Sequence, residues 1–353
     1  MTTTIDVPLD ERGNPAGPGQ VITGGGTRIL LLPVETFDGH WNNIYYVDHA
    51  DYRLLVDVGT SRSLPALREA LAEASRRYGC DVSLERLDAA LITHAHADHF
   101  GAAHDVRALG VPLLAHELDA RTLESLPHRE GLYRRNLQQL GRRAGVSDEL
   151  LRGMVEAPFM PFAPLVVDRR LQDGDVIGPG WPVMHAPGHS PGQVVLIVDD
   201  VVLTADHLLN RITPVQAPAS RGRGFGLETY VAALRRLRDH HADRMGLGGH
   251  EGPIEHIGDR VSQTIAHHAR RLSDIVHRCR EQERTVAELC EDMFGSFTSH
   301  GLIIALSEVM AHVEYLYEIG WLDTVSEPMP GEGPEGAVRY RAREGRQGSH
   351  IPI

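Results

Sequence analysis

The hexapeptide HAHADH, residues 94–99, limits what this chain can fold into more than any other stretch. It follows "LDAALIT" from Leu87, a short apolar run that predicts a buried strand. Residues two apart on an extended chain share a face, so His94 and His96 project together just past the strand end. Asp98 and His99 fall in the turn that leads into "FGAAHDVRALG", an amphipathic helix closed by Gly110. A strand end that gathers imidazoles and a carboxylate has the donor chemistry of a borderline cation such as zinc. The competing reading is a patch of a histidine-rich chain: there are 21 histidines in 353 residues, several of them, such as His240, His241, His267 and His268, in charged helical company. The spacing decides for the metal.

Composition excludes several chemistries. All 35 basic residues are arginine, so Schiff-base and P-loop lysine mechanisms are ruled out. A net charge of −13 repels phosphate backbones and disfavours nucleic-acid partners. Cys80, Cys279 and Cys290 lack CxxC spacing and read as reduced thiols of a cytoplasmic protein, outside any ligand set. No apolar run approaches the ~18 residues of a membrane span, and the N-terminus lacks the pattern of a signal peptide. The expectation is a soluble cytoplasmic protein with no membrane contact.

Residues 1–24 read as an N-terminal arm. "RILLLPV", "NIYYVD" and "YRLLVDVGT" then read as strands with short, antiparallel spacings. "SLPALREALAEASRRYG" predicts a helix with Ser63 as N-cap, Pro65 in its first turn and Gly79 as its stop. The histidine-bearing strand and "VPLLA" follow, giving an α/β layered domain over 25–256. Residues 117–163 interrupt it as a helical insertion with a Pro- and Phe-rich end. Strand character returns at "LVVD", "WPVMHA", "QVVLIVD" and "VVLTAD", with Asp199 and Asp200 as a hairpin turn, before the helix "LETYVAALRRLRDHH". Residues 257–343 read as three helices and a terminal hairpin, a small winged-helix-like domain, with 344–353 as a tail. Thr285 and Glu288 form a capping box there.

Three later stretches repeat the opening pattern of a histidine or aspartate at a strand end, two of them beside glycine: "HAPGHSPG" with His189, "VVLTADHLL" with Asp206 and "LGGHEGP" with His250. Together with the hexapeptide they supply five histidines and two aspartates, enough for two metal ions. In this order and form the chain resembles the metallo-β-lactamase superfamily, and within it the glyoxalase II-like hydrolases, from about Arg28 to His256. The helical tail resembles the lactamase-like branch that ends in a winged helix. The resemblance implies an αββα sandwich with two divalent ions, zinc foremost, with iron or manganese as alternatives. It places His94, His96 and His189 on the first ion, Asp98, His99 and His250 on the second, and Asp206 between them. It also gives Asp57 in "LLVDVGT" the task of orienting a ligand from behind, against the alternative of a helix cap.

Two divalent ions against two aspartates favour a metal-bound hydroxide, which would attack an ester, thioester, lactone or amide carbonyl, with Asp98 orienting it and His94 and His96 holding its ion. Phe159, Met160 and Phe162 in "APFMPFAPL" are candidates for a lid over a bulky apolar acyl substrate, with packing on the sandwich as the alternative. Rival readings are an iron-dependent persulfide dioxygenase, an RNA-cleaving lactamase-like nuclease and a non-enzymatic winged-helix regulator. The last predicted helix carries Glu308, Glu314 and Glu318 and no arginine, which suits packing or a homodimer contact better than a nucleic-acid groove.

Overall fold

The computed structural model of the chain describes residues 2–156, 162–295, 299–325, 337–345 and 351–353. They divide into two compact units. The first comprises Met1–Leu126, Phe162–Pro214 and Ala233–Val261; the second comprises Pro127–Pro161, Val215–Ala232 and Ser262–Ile353.

The first unit contains an eight-stranded sheet in sequence order: β1 (Thr4–Asp6), β2 (Gly19–Ile22), β3 (Arg28–Phe37), β4 (His40–His49), β5 (Tyr52–Val56), β6 (Ala89–Ile92), β7 (Leu113–His116) and β8 (Arg169–Leu171). Where connections are short, as at Asp38–Gly39 between β3 and β4, the strands are antiparallel. From β5 onward helices fill the connections and the pairing turns parallel. These helices are α1 (Leu64–Tyr78), α2 (Ala97–Phe100), α3 (Ala103–Ala108) and α4 (Glu117–Leu123). Gly79 ends α1 at a φ of 60°, a conformation that favours glycine. The Ser63 side chain makes no cap to α1; its hydroxyl donates to the Thr60 carbonyl instead, at 2.9 Å.

Helices α5 (Leu126–Ala144) and α6 (Asp148–Glu156) follow α4. A second sheet has the order β13-β12-β11-β10-β9, formed by β9 (Val176–Ile177), β10 (Trp181–His185), β11 (Val194–Val198), β12 (Val201–Ala205) and β13 (Met245–Gly248). Asp199 and Asp200 turn β11 into β12, and α7 (Leu227–His241) connects β12 to its parallel neighbour β13.

Alternation along β3 shows how the layers are glued. Ile29 and Leu31 bury with Leu91, Val183, Leu196 and Leu203 in a core shared by the two sheets. Leu30, Leu32 and Val34 point the other way, into a core with Leu67 and Leu71 of α1. Burial on both faces explains why β3 reads as a continuous apolar run.

Residues 1–24 are not an arm. β2 pairs with β3 from Gly19↔Leu31 to Ile22↔Arg28, and β1 pairs with β2, so this segment satisfies its backbone groups on the sheet edge. "LVVD" also departs from expectation. Leu165 and Val167 are buried as irregular chain and the strand starts at Arg169, because apolarity marks burial and not extended pairing. Ala120 and Leu123 of α4 belong to the first unit's core, so the inserted segment begins at Pro127 rather than 117.

The second unit joins that inserted segment to residues 215–232 and to α8 (Ile257–Glu281, from Ser262), α9 (Val286–Phe294) and α10 (Ser299–Glu318), with β14 (Leu322–Thr324) antiparallel to β15 (Tyr340–Ala342). Thr285 and Glu288 cap α9 reciprocally. Among the described residues no helix is long and apolar enough to cross a membrane. The three cysteines are free thiols.

Candidate metal centre

Strand ends build the centre. β6 is buried throughout, and after Thr93 the chain turns through His94–His99 with His96 at the N-cap position of α2. His189 lies between β10 and β11, Asp206 directly after β12, and His250 two residues after β13. Non-glycine residues with positive φ flank these positions: Asp57 at 63°, Ala205 at 46° and Glu251 at 64°. Such backbone costs on the order of 1 kcal/mol per residue and marks sites held in place by their surroundings.

The seven side chains converge. His94 Nε2 and His96 Nδ1 are 2.9 Å apart, and with His189 they form a group whose ligand atoms lie within 4.8 Å of one another. Asp206 Oδ2 lies 3.3 Å from His250 Nε2, 3.5 Å from His99 Nε2, 3.8 Å from His189 Nε2 and 4.0 Å from His94 Nε2. Asp98 Oδ2 lies 3.3 Å from His99 Nε2 and 3.6 Å from His250 Nε2. Two donors bonded at about 2.0–2.2 Å to one tetrahedral ion stand roughly 3.3–3.6 Å apart, so most of these spacings suit shared cations. Asp206 Oδ1 is buried without a hydrogen-bond partner among the described residues, a cost that a cation would remove. The glycines of "LGGH" make room: a Cβ on Gly249 would collide with Asp206 Oδ1 and stand 2.9 Å from His99 Cε1.

The outward ring nitrogens are fixed from behind. His99 Nδ1 donates to Asp57 Oδ2 at 2.7 Å, and His250 Nδ1 donates to the Trp41 carbonyl at 2.6 Å. Both acceptors hold a proton on Nδ1 and leave Nε2 as the ring nitrogen that faces the cluster. Asp57 also accepts from the Thr93 amide and hydroxyl, at 2.8 Å each, which locks the start of the histidine turn to β5. Asp57→Asn keeps the side chain's shape but removes the charge that holds His99. We expect it to weaken metal binding about 10–100-fold, measured by competition with a chromophoric chelator.

Burial and neighbouring charge set the electrostatics, and which of them wins differs from residue to residue. Burial pushes the His94 and His96 pKa values down, His96 to about 3, with neighbouring imidazoles adding to the shift. Burial also opposes charge on His99 and His250, yet the carboxylates around them win: His99 is held well above its usual value, mainly by Asp98 and Asp206, and His250 rises to about 9 against Asp206. Asp98 and Asp206 stay well below the usual carboxylate range despite burial, Asp98 because of His99 and His40 and Asp206 because of His250 and His99.

Several participating residues had no sequence signal of their own. Asp119 of α4 accepts from the Ala95 amide and the Gly192 amide, at 2.8 Å each, and from the Ser190 hydroxyl, so it ties the histidine turn to the His189 loop. Asp119→Ala would strand those donors in the interior. We expect a loss of about 3 kcal/mol, read from denaturant unfolding. Asn42 Nδ2 donates to Asp98 Oδ2 at 2.9 Å, and His40 Nε2 stands 3.1 Å from the same oxygen. The Asp38–Gly39 turn marks a hairpin there, and the pairing of β3 with β4 then decides that His40 and Asn42 face Asp98.

Of the lid candidates, Phe159 and Met160 lie outside the described residues. The Phe162 ring sits 4.8 Å from that of Phe100, at the margin of the α1-side core. In the second unit His268, Glu308 and His312 also come together, and His268 is buried despite its charged neighbours in sequence. There Glu308 is already engaged by Arg271 and by the Gln216 amide at 2.7 Å, and His268 Nδ1 faces His312 Nε2 at 2.9 Å. With its carboxylate so occupied, this is a buried hydrogen-bond network, unlike the centre of the first unit.

Comparison with known proteins agrees with this geometry. The chain is 24% identical over 300 residues to "Probable metallo-hydrolase YqjP" of Bacillus subtilis (strain 168), covering 82% of this chain and 92% of that protein. It is 24% identical over 282 residues to "Lactamase-like protein ptaB" of Pestalotiopsis fici, covering 76% and 72%. A crystal structure of a metallo-beta-lactamase family protein from Thermus thermophilus superposes with a TM-score of 0.68 at 26% identity, covering 89% of this chain and 98% of that one. A beta-lactamase domain protein from Burkholderia ambifaria shares the fold at a TM-score of 0.71 and 24% identity, covering 96% and 98%. The model of the metallo-beta-lactamase superfamily matches residues 41–250, a span that contains all seven converging side chains, and the chain belongs to that superfamily.

Proposed function

We propose that this chain is a hydrolase using two divalent ions, zinc in our assignment, to cleave an ester, thioester or lactone. The observation that supports this most is the convergence of five imidazoles and two carboxylates in one buried cluster. His94, His96 and His189 would hold one ion and Asp98, His99 and His250 the other, with Asp206 between them. Such ions supply Lewis acidity: they lower the pKa of water toward ~7 and polarise an acyl carbonyl.

The chain's own residues do the positioning. Asp57 and the Trp41 carbonyl hold two imidazoles in one tautomer, Asp119 fixes the loops that carry His94 and His189, and Asp98 offers a carboxylate to orient a water proton. In our reading, the acyl group of the substrate is bulky and apolar. We read α8–α10 with β14 and β15 as a winged-helix-like appendage for packing or self-association. Glu308 and Glu314 of α10 point at partners within their own unit, Arg271 and Ser220, and present no basic face to a phosphate backbone.

A substrate panel of thioesters, lactones, β-lactams, persulfides and RNA tests this. Acyl hydrolysis that disappears with chelator and returns with zinc is expected. RNA cleavage or persulfide oxidation without acyl hydrolysis would overturn it.

A further inference from the structure

We propose that His40 is an additional ligand of the second metal position, completing a His40–Asp98–His250 set on its solvent side. The inference rests on the two-ion reading above. The Asp38–Gly39 turn, with Gly39 at a φ of 73°, pairs Phe37 with His40 and makes His40 the first residue of β4. Residues two apart on a strand share a face, so His40 and Asn42 reach toward Asp98 together. His40 Nε2 stands 3.1 Å from Asp98 Oδ2, within the spacing that two ligands of one ion adopt, and its ring lies 4.8 Å from that of His250. The three ligand atoms of His40, Asp98 and His250 lie within 4.8 Å of one another.

The rest of the strand holds this set in place. The Thr36 hydroxyl donates to Asn42 Oδ1 at 2.5 Å, which directs the Asn42 amide nitrogen at Asp98. The Asn43 amide donates to the Gly249 carbonyl at 2.7 Å, and the Tyr45 hydroxyl donates to the Gly248 carbonyl at 2.6 Å, so β4 clamps the loop that carries His250. His40 is the exposed member, its side chain 49% accessible where His99 is fully buried. An imidazole there adds a nitrogen donor to a position that otherwise has two, which favours zinc or iron over the oxygen-preferring manganese and magnesium.

The test is the intact protein loaded with cadmium-113 and read by proton–cadmium correlation. Ring protons of His40 and His250 are expected to couple to one cadmium resonance. In His40→Ala the Kd of that ion should rise at least about tenfold while the ion held by His94, His96 and His189 is unaffected. A His250 correlation without one from His40, or an unchanged Kd in His40→Ala, would overturn the proposal and leave the two-ion reading standing. Absence of the His250 correlation would overturn that reading instead.

Discussion

His96→Ala is expected to lower turnover at least about 10³-fold, whereas His104→Ala, eight residues on, should stay within about twofold. His96 faces His94 at 2.9 Å and groups with His189, so its loss opens one of the two donor sets. Several kcal/mol of charge stabilisation by a metal corresponds to about three powers of ten in rate. His104 is exposed and its Nε2 lies 3.2 Å from the Ala163 carbonyl, an exposed hydrogen bond of small net worth. Initial rates of both variants on the best substrate of the panel, at equal metal content in the medium, check the contrast. Equal losses would mean that the hexapeptide's histidines act only through folding.

Asp206→Ala should have the second large effect, on metal content. Its Oδ2 is the atom that faces His94, His99, His189 and His250 together, at 3.3 to 4.0 Å. Its removal takes a donor from both sets at once and leaves four imidazoles without their central anion. The variant should retain at most about one ion per chain after gel filtration, while His104→Ala retains the full complement. Elemental analysis of the two proteins side by side reads this directly.

The sequence made the seven converging residues legible because short-range rules suffice for them. A strand period of two places His94 with His96, and turn residues mark where His189, Asp206 and His250 leave their strands. What it hid depends on distant chain segments. Asp119 gives no signal because its role is to accept amide protons from Ala95 and Gly192, and a lone aspartate near a helix start looks like any other. His40 and Asn42 escape notice because a two-residue turn specifies register only once the partner strand is known. The short strands β1 and β2, the last two at one end of the sheet, read as an arm because the end of a sheet demands little apolarity from the chain that covers it. "LVVD" errs the other way, since burial of Leu165 and Val167 alone does not make a strand.

The central claim is that the seven converging side chains hold two ions which the reaction requires. Its most direct test is to strip the protein with chelator, confirm by circular dichroism that it stays folded, and add zinc back while bound metal and acyl hydrolysis are followed together. Binding should saturate close to two ions per chain, with hydrolysis absent at zero metal and restored as the sites fill. Undiminished hydrolysis by the folded, metal-free protein would contradict the account.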